Sequence, residues 1–374
     1  MTKNEHTYIE IDLGAVRSNV HEVRKHIQDN VGLMVVVKAN AYGHGALEVA
    51  KEVVGSGAGS LAVSDVEEGI LLREAGFKCP ILVLGPTSAS ESSLVVYHDL
   101  SQAVSTKDFV EELSREAVVL GRTTGVHINI DTGIERVGVH PHEAIDFAKH
   151  AIVQPGITVE GVFTHFAEAN CPHSQFTERQ LKLFRSVIEE LERAGIAIPI
   201  KHAANSAAIF HFPESHFDMV RPGIAIYGLY PSDESGAMVH LSPAMSFRTQ
   251  IARLRNVPPG TGLSYDRSFT TTRDSVIATL PVGYADGYPC SASNTAQVLV
   301  HGTRAPVVGS ICMDMTLVDV SHIPGVRVGD DVMLFGTQGD STISAAELAR
   351  WAGTISYDIV CGIRSRVPRR FVHP

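Results

Sequence analysis

Val35-Val36-Val37-Lys38-Ala39-Asn40-Ala41-Tyr42-Gly43-His44-Gly45 is the stretch from which the fold is read. Residues 33–37 form an apolar, largely β-branched run, the pattern of a buried strand. A lysine follows at once, then a glycine-rich turn, then apolar residues at helical spacing over 46–54. That is one strand-turn-helix unit with a lysine at the strand's C-terminal end. Most lysines in such a place snorkel into water. One whose amine loses its proton there becomes a nucleophile toward carbonyls, the chemistry of a Schiff base.

The same alternation continues outward. Strand-like segments at 61–63, 81–84, 126–130, 157–163, 198–202 and 217–220 interleave with helical ones at 66–74, after Thr106, at 142–153 and at 176–194. Alternating strands and helices imply parallel βα units. About eight such units predict an α/β fold closed as a (β/α)8 TIM-type barrel. The alternative is an open doubly wound sheet, which the lack of a GxGxxG after the first strand weakens. Beyond residue 231 the pattern becomes β-rich, with strands near 244–256, 275–281, 296–300, 305–310, 315–320 and 331–335, and one late helix at 344–352. The expected organisation is therefore an N-terminal strand (1–12) that pairs with the β domain, a barrel (13–232), and a C-terminal mostly-β domain (233–374).

Composition narrows the class. With 374 residues, 44% hydrophobic and 19% charged, the chain has material for two globular cores. A net charge of −10 argues against nucleic acid or an anionic membrane as partner. The N-terminus lacks an apolar signal region, and no apolar run is long enough for a membrane helix. Five scattered cysteines without CxxC spacing form neither a disulfide framework nor a zinc site, so a cytoplasmic location and no metal are expected.

Catalytic groups of such barrels lie at the C-terminal strand ends. Lys38, Asn129 with Asp131, His165, His202 with Asn205 and Ser206, and Arg221 all follow apolar strand segments. Any one of them alone reads as an ordinary polar strand end. Five ends at one barrel mouth read as a site.

These residues lie within VVKANAYGHG, DTGIERVG (131–138), GVFTHFAEAN (161–170), HAANSAA (202–208) and VRPGIAIYGLYP (220–231). LSYDRSF (263–269), PVGYADGY (281–288), GSICMDM (309–315) and ISYDIVCGIRSRVPR (355–369) follow. In this order and spacing the chain resembles the alanine racemase family. The resemblance implies pyridoxal 5'-phosphate held by Lys38, which also serves as base on one substrate face. Tyr265 from the other subunit of a homodimer would be the opposing base. A phenolate at neutral pH needs its pKa lowered by roughly 3 units, about 4 kcal/mol of preferential interaction with the anion. Nearby cations supply it in this reading, with Arg136 and His165 in the network and His165 bonded to Arg221. Arg221 would face the pyridine nitrogen. Tyr42, Ser206 and Tyr357, with the N–H groups of Gly223 and Ile224, would hold the phosphate, supported by Asn205 and His202. Arg136 and the N–H of Met313 would take the substrate carboxylate beside Asp314. Cys312 is read as a buried structural thiol.

Two departures from the family pattern stand out. Asn129 occupies the place of a lysine that many members carry carbamylated, so an anion such as chloride is expected between Asn129 and Arg136. Cys290 and Ser310 replace arginines that often narrow the entrance. The expected activity is interconversion of L- and D-alanine, supplying D-alanine for peptidoglycan. The alternatives are a broad-specificity or serine- or lysine-directed racemase, and a non-catalytic pyridoxal-phosphate-binding homeostasis protein, which would resemble the barrel alone.

Overall fold

The computed structural model describes residues 6–232 and 234–373. Residues 1–5 of the expected N-terminal segment, Asp233 at the expected boundary and Pro374 lie outside the described residues. The chain forms two compact units. One comprises Ala15–Ala41 and Ala46–Ser242; the other comprises the segment ending at Gly14, Tyr42–Gly45 and the chain from Pro243 onward.

The first unit is a closed barrel of eight parallel strands. With Tyr8–Asp12 as β1, the barrel strands are β2 (Gly32–Val36), β3 (Ser60–Val63), β4 (Ile81–Val83), β5 (Ser101–Val104), β6 (Thr124–Asn129), β7 (Ile157–Phe163), β8 (Ile200–Asn205) and β9 (Met219–Arg221). The parallel pairing of β2 with β9, Gly32 opposite Met219, closes the ring. Leu33, Val35, Leu61, Ala62, Ile81, Val126 and Val220 are buried, as strands covered on both faces require. Local chemistry starts the intervening helices. Asp65 accepts the Glu68 N–H ahead of Val66–Glu74, and Ser174 accepts the Thr177 N–H ahead of Gln175–Arg193.

The second unit is mostly β. Its main sheet runs Thr303–Pro306, Gln297–Val300, Asp331–Gln338, Met245–Gln250, Tyr8–Asp12, Arg369–Val372. β1 pairs antiparallel with Met245–Gln250 and parallel with Arg369–Val372. A three-stranded sheet (Arg253–Val257, Ser275–Leu280, Thr316–Asp319) and a short hairpin (Gly262–Leu263 with Phe269–Thr270) complete it. Val257, Leu263, Ile277 and Val308 pack into a small core that anchors the hairpin's base, with Phe269 and Leu317 against it.

Candidate active site

The Lys38 segment does not fold as an ordinary glycine turn. Ala39, Asn40, Ala41 and Tyr42 have φ between 52° and 54°, one turn of left-handed helix. Such a turn costs L-residues roughly 1–2 kcal/mol each, so its surroundings must enforce it. Glu68 accepts the N–H groups of Ala39 and Ser64, and Asn40 Oδ1 accepts the Ala46 N–H at 2.9 Å. Lys38 thus leaves the end of β2, just past the buried Val37, on a rigidly tied backbone.

Across the barrel mouth, Arg221 ends β9 and is 4% exposed. Its Nη1 donates to His202 Nδ1 at 2.8 Å, and its Nη2 donates to the carbonyls of Thr164 (2.8 Å) and Ala203 (3.2 Å). A 3.5 Å contact reaches His165 Nδ1, and the guanidinium lies over the Phe163 ring. Among the described residues no carboxylate pairs with it. Burial lowers its pKa to about 9, which still leaves it charged at neutral pH.

His165 is half-buried beside Arg221, with Arg136 and Lys38 adding positive charge. Burial first, then these three cations, lower its pKa to about 3. Its expected role as a cation is therefore corrected: at neutral pH it is neutral. An arginine only donates, so Nδ1 accepts and the proton resides on Nε2. Gln180, from the buried face of Gln175–Arg193, fixes this loop by bonding the His165 carbonyl, Thr132 Oγ1 and the Ala167 N–H. Sequence reading missed Gln180, although a polar residue in the stripe with Thr177, Leu181 and Phe184 was a visible signal.

Arg136 lies on a loop that the Asp131 carboxylate organises by accepting the N–H groups of Gly133, Glu135 and Arg136. Its guanidinium is exposed and has no carboxylate partner among the described residues. Asn129 donates to the Val137 carbonyl at 3.2 Å. Ser206 opens Ser206–His211, capped by Asn205. Its Oγ accepts the N–H groups of Gly223 (2.9 Å) and Ala225 (3.3 Å), and Ile224 opens the turn Ile224–Tyr227.

The second unit by itself carries the remaining expected residues. Tyr42 and Tyr357 face each other with ring centroids 6.2 Å apart. Burial raises both phenols, Tyr357 to about 12 and Tyr42 further, so both remain hydroxyl donors at neutral pH. Gly43, at φ 82°, permits this approach: a Cβ there would lie 2.3 Å from the Val360 carbonyl oxygen. Tyr265 occupies a strained turn in which Ser264, Asp266 and Arg267 all have positive φ, and it is 70% exposed. Ser264 Oγ ties that turn to the Ser310 carbonyl at 2.6 Å. Met313 is held by its carbonyl, which accepts the Ala285 N–H, and is 53% exposed. Arg366 clamps Asp314 and Asp286, each at 2.6 Å. Cys312 is only partly buried, with Sγ near Ser264 Oγ, which corrects its reading as a core thiol.

Known proteins share this sequence and fold. A family profile described as alanine racemase, N-terminal domain, matches residues 11–231, and its C-terminal counterpart matches 244–371. An alanine racemase from Halothermothrix orenii is 47% identical over 365 residues, covering 98% of this chain and 96% of that protein. One from Methanococcus maripaludis is 43% identical over 368 residues, 98% of each. The solved alanine racemase from D-cycloserine producing Streptomyces lavendulae superposes with TM-score 0.95 at 36% identity, over 99% and 97% of the two chains. That of Bacillus anthracis with bound L-Ala-P gives 0.93 at 38% identity, over 98% and 95%. With both domains matched in order and nearly the whole length aligned, the chain belongs to the alanine racemase family.

Proposed function

We propose that this chain interconverts L- and D-alanine with pyridoxal 5'-phosphate, by proton exchange on both faces of the substrate. The observation that carries this reading is the clustering of Lys38, Arg136 and Arg221 around a neutral His165. It joins an amine base, a cation for a carboxylate and a buried cation with no carboxylate in direct contact among the described residues at one barrel mouth.

The residues fit the cofactor. Ser206 with the N–H groups around it, and the un-ionised hydroxyls of Tyr42 and Tyr357, are donors suited to a phosphate. Arg221 carries buried positive charge with no acid beside it among the described residues, suited to an electron-rich ring nitrogen. When bound, pyridoxal phosphate withdraws electrons from the substrate α-carbon and acidifies its C–H bond. Lys38 would hold the cofactor and then accept the α-proton on one face. Tyr265 of a second subunit would supply or accept it on the other. Arg136 and the Met313 N–H would orient the carboxylate. His165, carrying its proton on Nε2, is a neutral donor for a phenolate. Arg221 keeps its own proton and so does not protonate the ring nitrogen, which favours clean proton exchange over side reactions.

In this reading the enzyme is a cytoplasmic homodimer supplying D-alanine for peptidoglycan. Among the described residues no helix is long and apolar enough to cross a membrane. Asn129 has an amide hydrogen beyond the one given to Val137, and with the unpaired Arg136 it forms our candidate anion site. A halide signal there after bromide soaking is the expected result; water alone would remove it.

The decisive assay is incubation with L-alanine in D2O. α-Deuterated D-alanine is expected, and no exchange by cofactor-loaded protein would overturn the reading. A second reading, a racemase of broader range, is favoured by the small side chains of Cys290 and Ser310. A tenfold or greater preference for a larger amino acid over alanine in a substrate panel would replace alanine as the assigned substrate.

A further inference from the structure

Arg221 is one end of a longer line of groups inside the barrel. His202, fully buried, accepts from Arg221 at Nδ1, and its Nε2 lies 2.8 Å from His127 Nδ1. His127, 3% exposed, turns its Nε2 toward Glu160 Oε2 at 3.7 Å. Ser101 Oγ donates to the same carboxylate oxygen at 2.8 Å.

The backbone makes room for this line. Val126 pairs with Val159, but His127 pairs with Gly161, so Glu160 is the extra residue of a β-bulge in β7. A bulge re-aims a side chain, and between parallel strands it is rare. A Cβ on Gly125 would lie 2.2 Å from Glu160 Oε2, and one on Gly161 would lie 2.2 Å from His127 Nδ1. The bulge and both glycines serve the two side chains that sequence reading passed over.

The protons in this line are forced. Arginine only donates, so His202 Nδ1 is bare and its proton is on Nε2. That proton points at His127 Nδ1, which must accept it. His127 therefore carries its own proton on Nε2, directed at the Glu160 carboxylate. The reverse order would leave one imidazole without a proton or set two donors face to face.

We propose that Glu160 and His127 are positioning residues for Arg221: with Ser101 they fix the His202 ring and tautomer, and the carboxylate at the far end balances the buried guanidinium through two neutral imidazoles. The consequence for turnover rests on the racemase reading above; the proton order does not.

The test is 1H–15N correlation spectroscopy of the cofactor-loaded protein labelled in histidine nitrogen. Both His127 and His202 are expected as Nε2–H tautomers. Either ring protonated on Nδ1, or on both nitrogens, overturns the proposal. In kinetics, His127→Leu is expected to lower kcat by about tenfold to a hundredfold with KM within about twofold, the pattern of a misplaced site group. His127→Gln, whose carbonyl accepts from His202 while its amide donates to Glu160, should restore most of kcat. An unchanged kcat in His127→Leu, or no rescue by His127→Gln, overturns it. Should His127→Leu fail to fold, the tautomers of the unaltered protein still decide. If that protein shows both tautomers but racemises nothing, the functional reading falls and the relay stands.

Discussion

The two candidate bases sit on opposite kinds of backbone. Lys38 is tied down: its strand is buried, and the left-handed turn after it is held by Glu68 and Asn40. Tyr265 stands on a turn equally strained but open, with 70% of its surface exposed. Strain of this kind persists only where the surroundings over-determine it, and functional sites are where it gathers. The difference teaches that the barrel presents a group already surrounded by its partners, whereas the hairpin presents one that awaits them. Such exposure is what the role proposed for Tyr265, serving a neighbouring subunit, would require.

The largest expected effect is on the lysine side. Lys38→Ala should lower turnover by more than about a thousandfold, at the upper end for loss of a positioned base. It should also abolish borohydride-trappable cofactor. Retained turnover would break the comparison at its root. Tyr265→Phe should cost about 10²–10⁴-fold, and unequally for the two enantiomers. Measuring α-deuterium exchange separately from L- and D-alanine checks this; equal, unchanged rates would end the two-base reading.

Smaller effects probe the supports. Gly43→Ala forces a side chain to φ 82° against the Val360 carbonyl and should destabilise by about 2–4 kcal/mol, read from denaturant midpoints. A stability within error of the unaltered protein would mean that the segment is not pinned there. The pH response follows from His165. Its folded pKa of about 3 lies below the unfolded value near 6.5, so the unfolded chain binds a proton that the folded one refuses. Its contribution is complete above about pH 6.5 and declines as pH falls toward 3. Between pH 7 and 5 this amounts to about 1–2 kcal/mol, and the buried His202, shifted the same way, adds to it. His165→Asn should flatten that slope, and an unaltered slope would sink the assignment.

Much of this architecture was legible. The apolar runs before Lys38, Asn129, His165 and Arg221 are barrel strands, because burial on both faces writes itself as continuous hydrophobicity. Ser101–Val104 escaped, being four residues with a buried glutamine among them. The helix Leu13–Lys25 escaped too, its apolar stripe diluted by charge. The left-handed turn could not be read, since Ala39 and Ala41 carry no mark of positive φ. His127 and Glu160 were invisible for another reason. A histidine in a strand and a glutamate before a glycine look ordinary until a bulge brings them into line. His165 illustrates a third limit: its residue type was legible, but its charge depends on desolvation first and then on three cations, all of which only the fold assembles.

The turn at 39–42 also bears on transplantation. VVKANAYGHG reads as a self-contained cassette, yet its conformation is borrowed. Glu68, three elements further along the chain, supplies the acceptor for Ala39, and the start of Ala46–Gly55 supplies the donor for Asn40. Copied alone onto another barrel, the ten residues would relax to the ordinary right-handed sense and aim the lysine elsewhere. The smallest portable unit is the lysine strand with its following helix and the glutamate that anchors it.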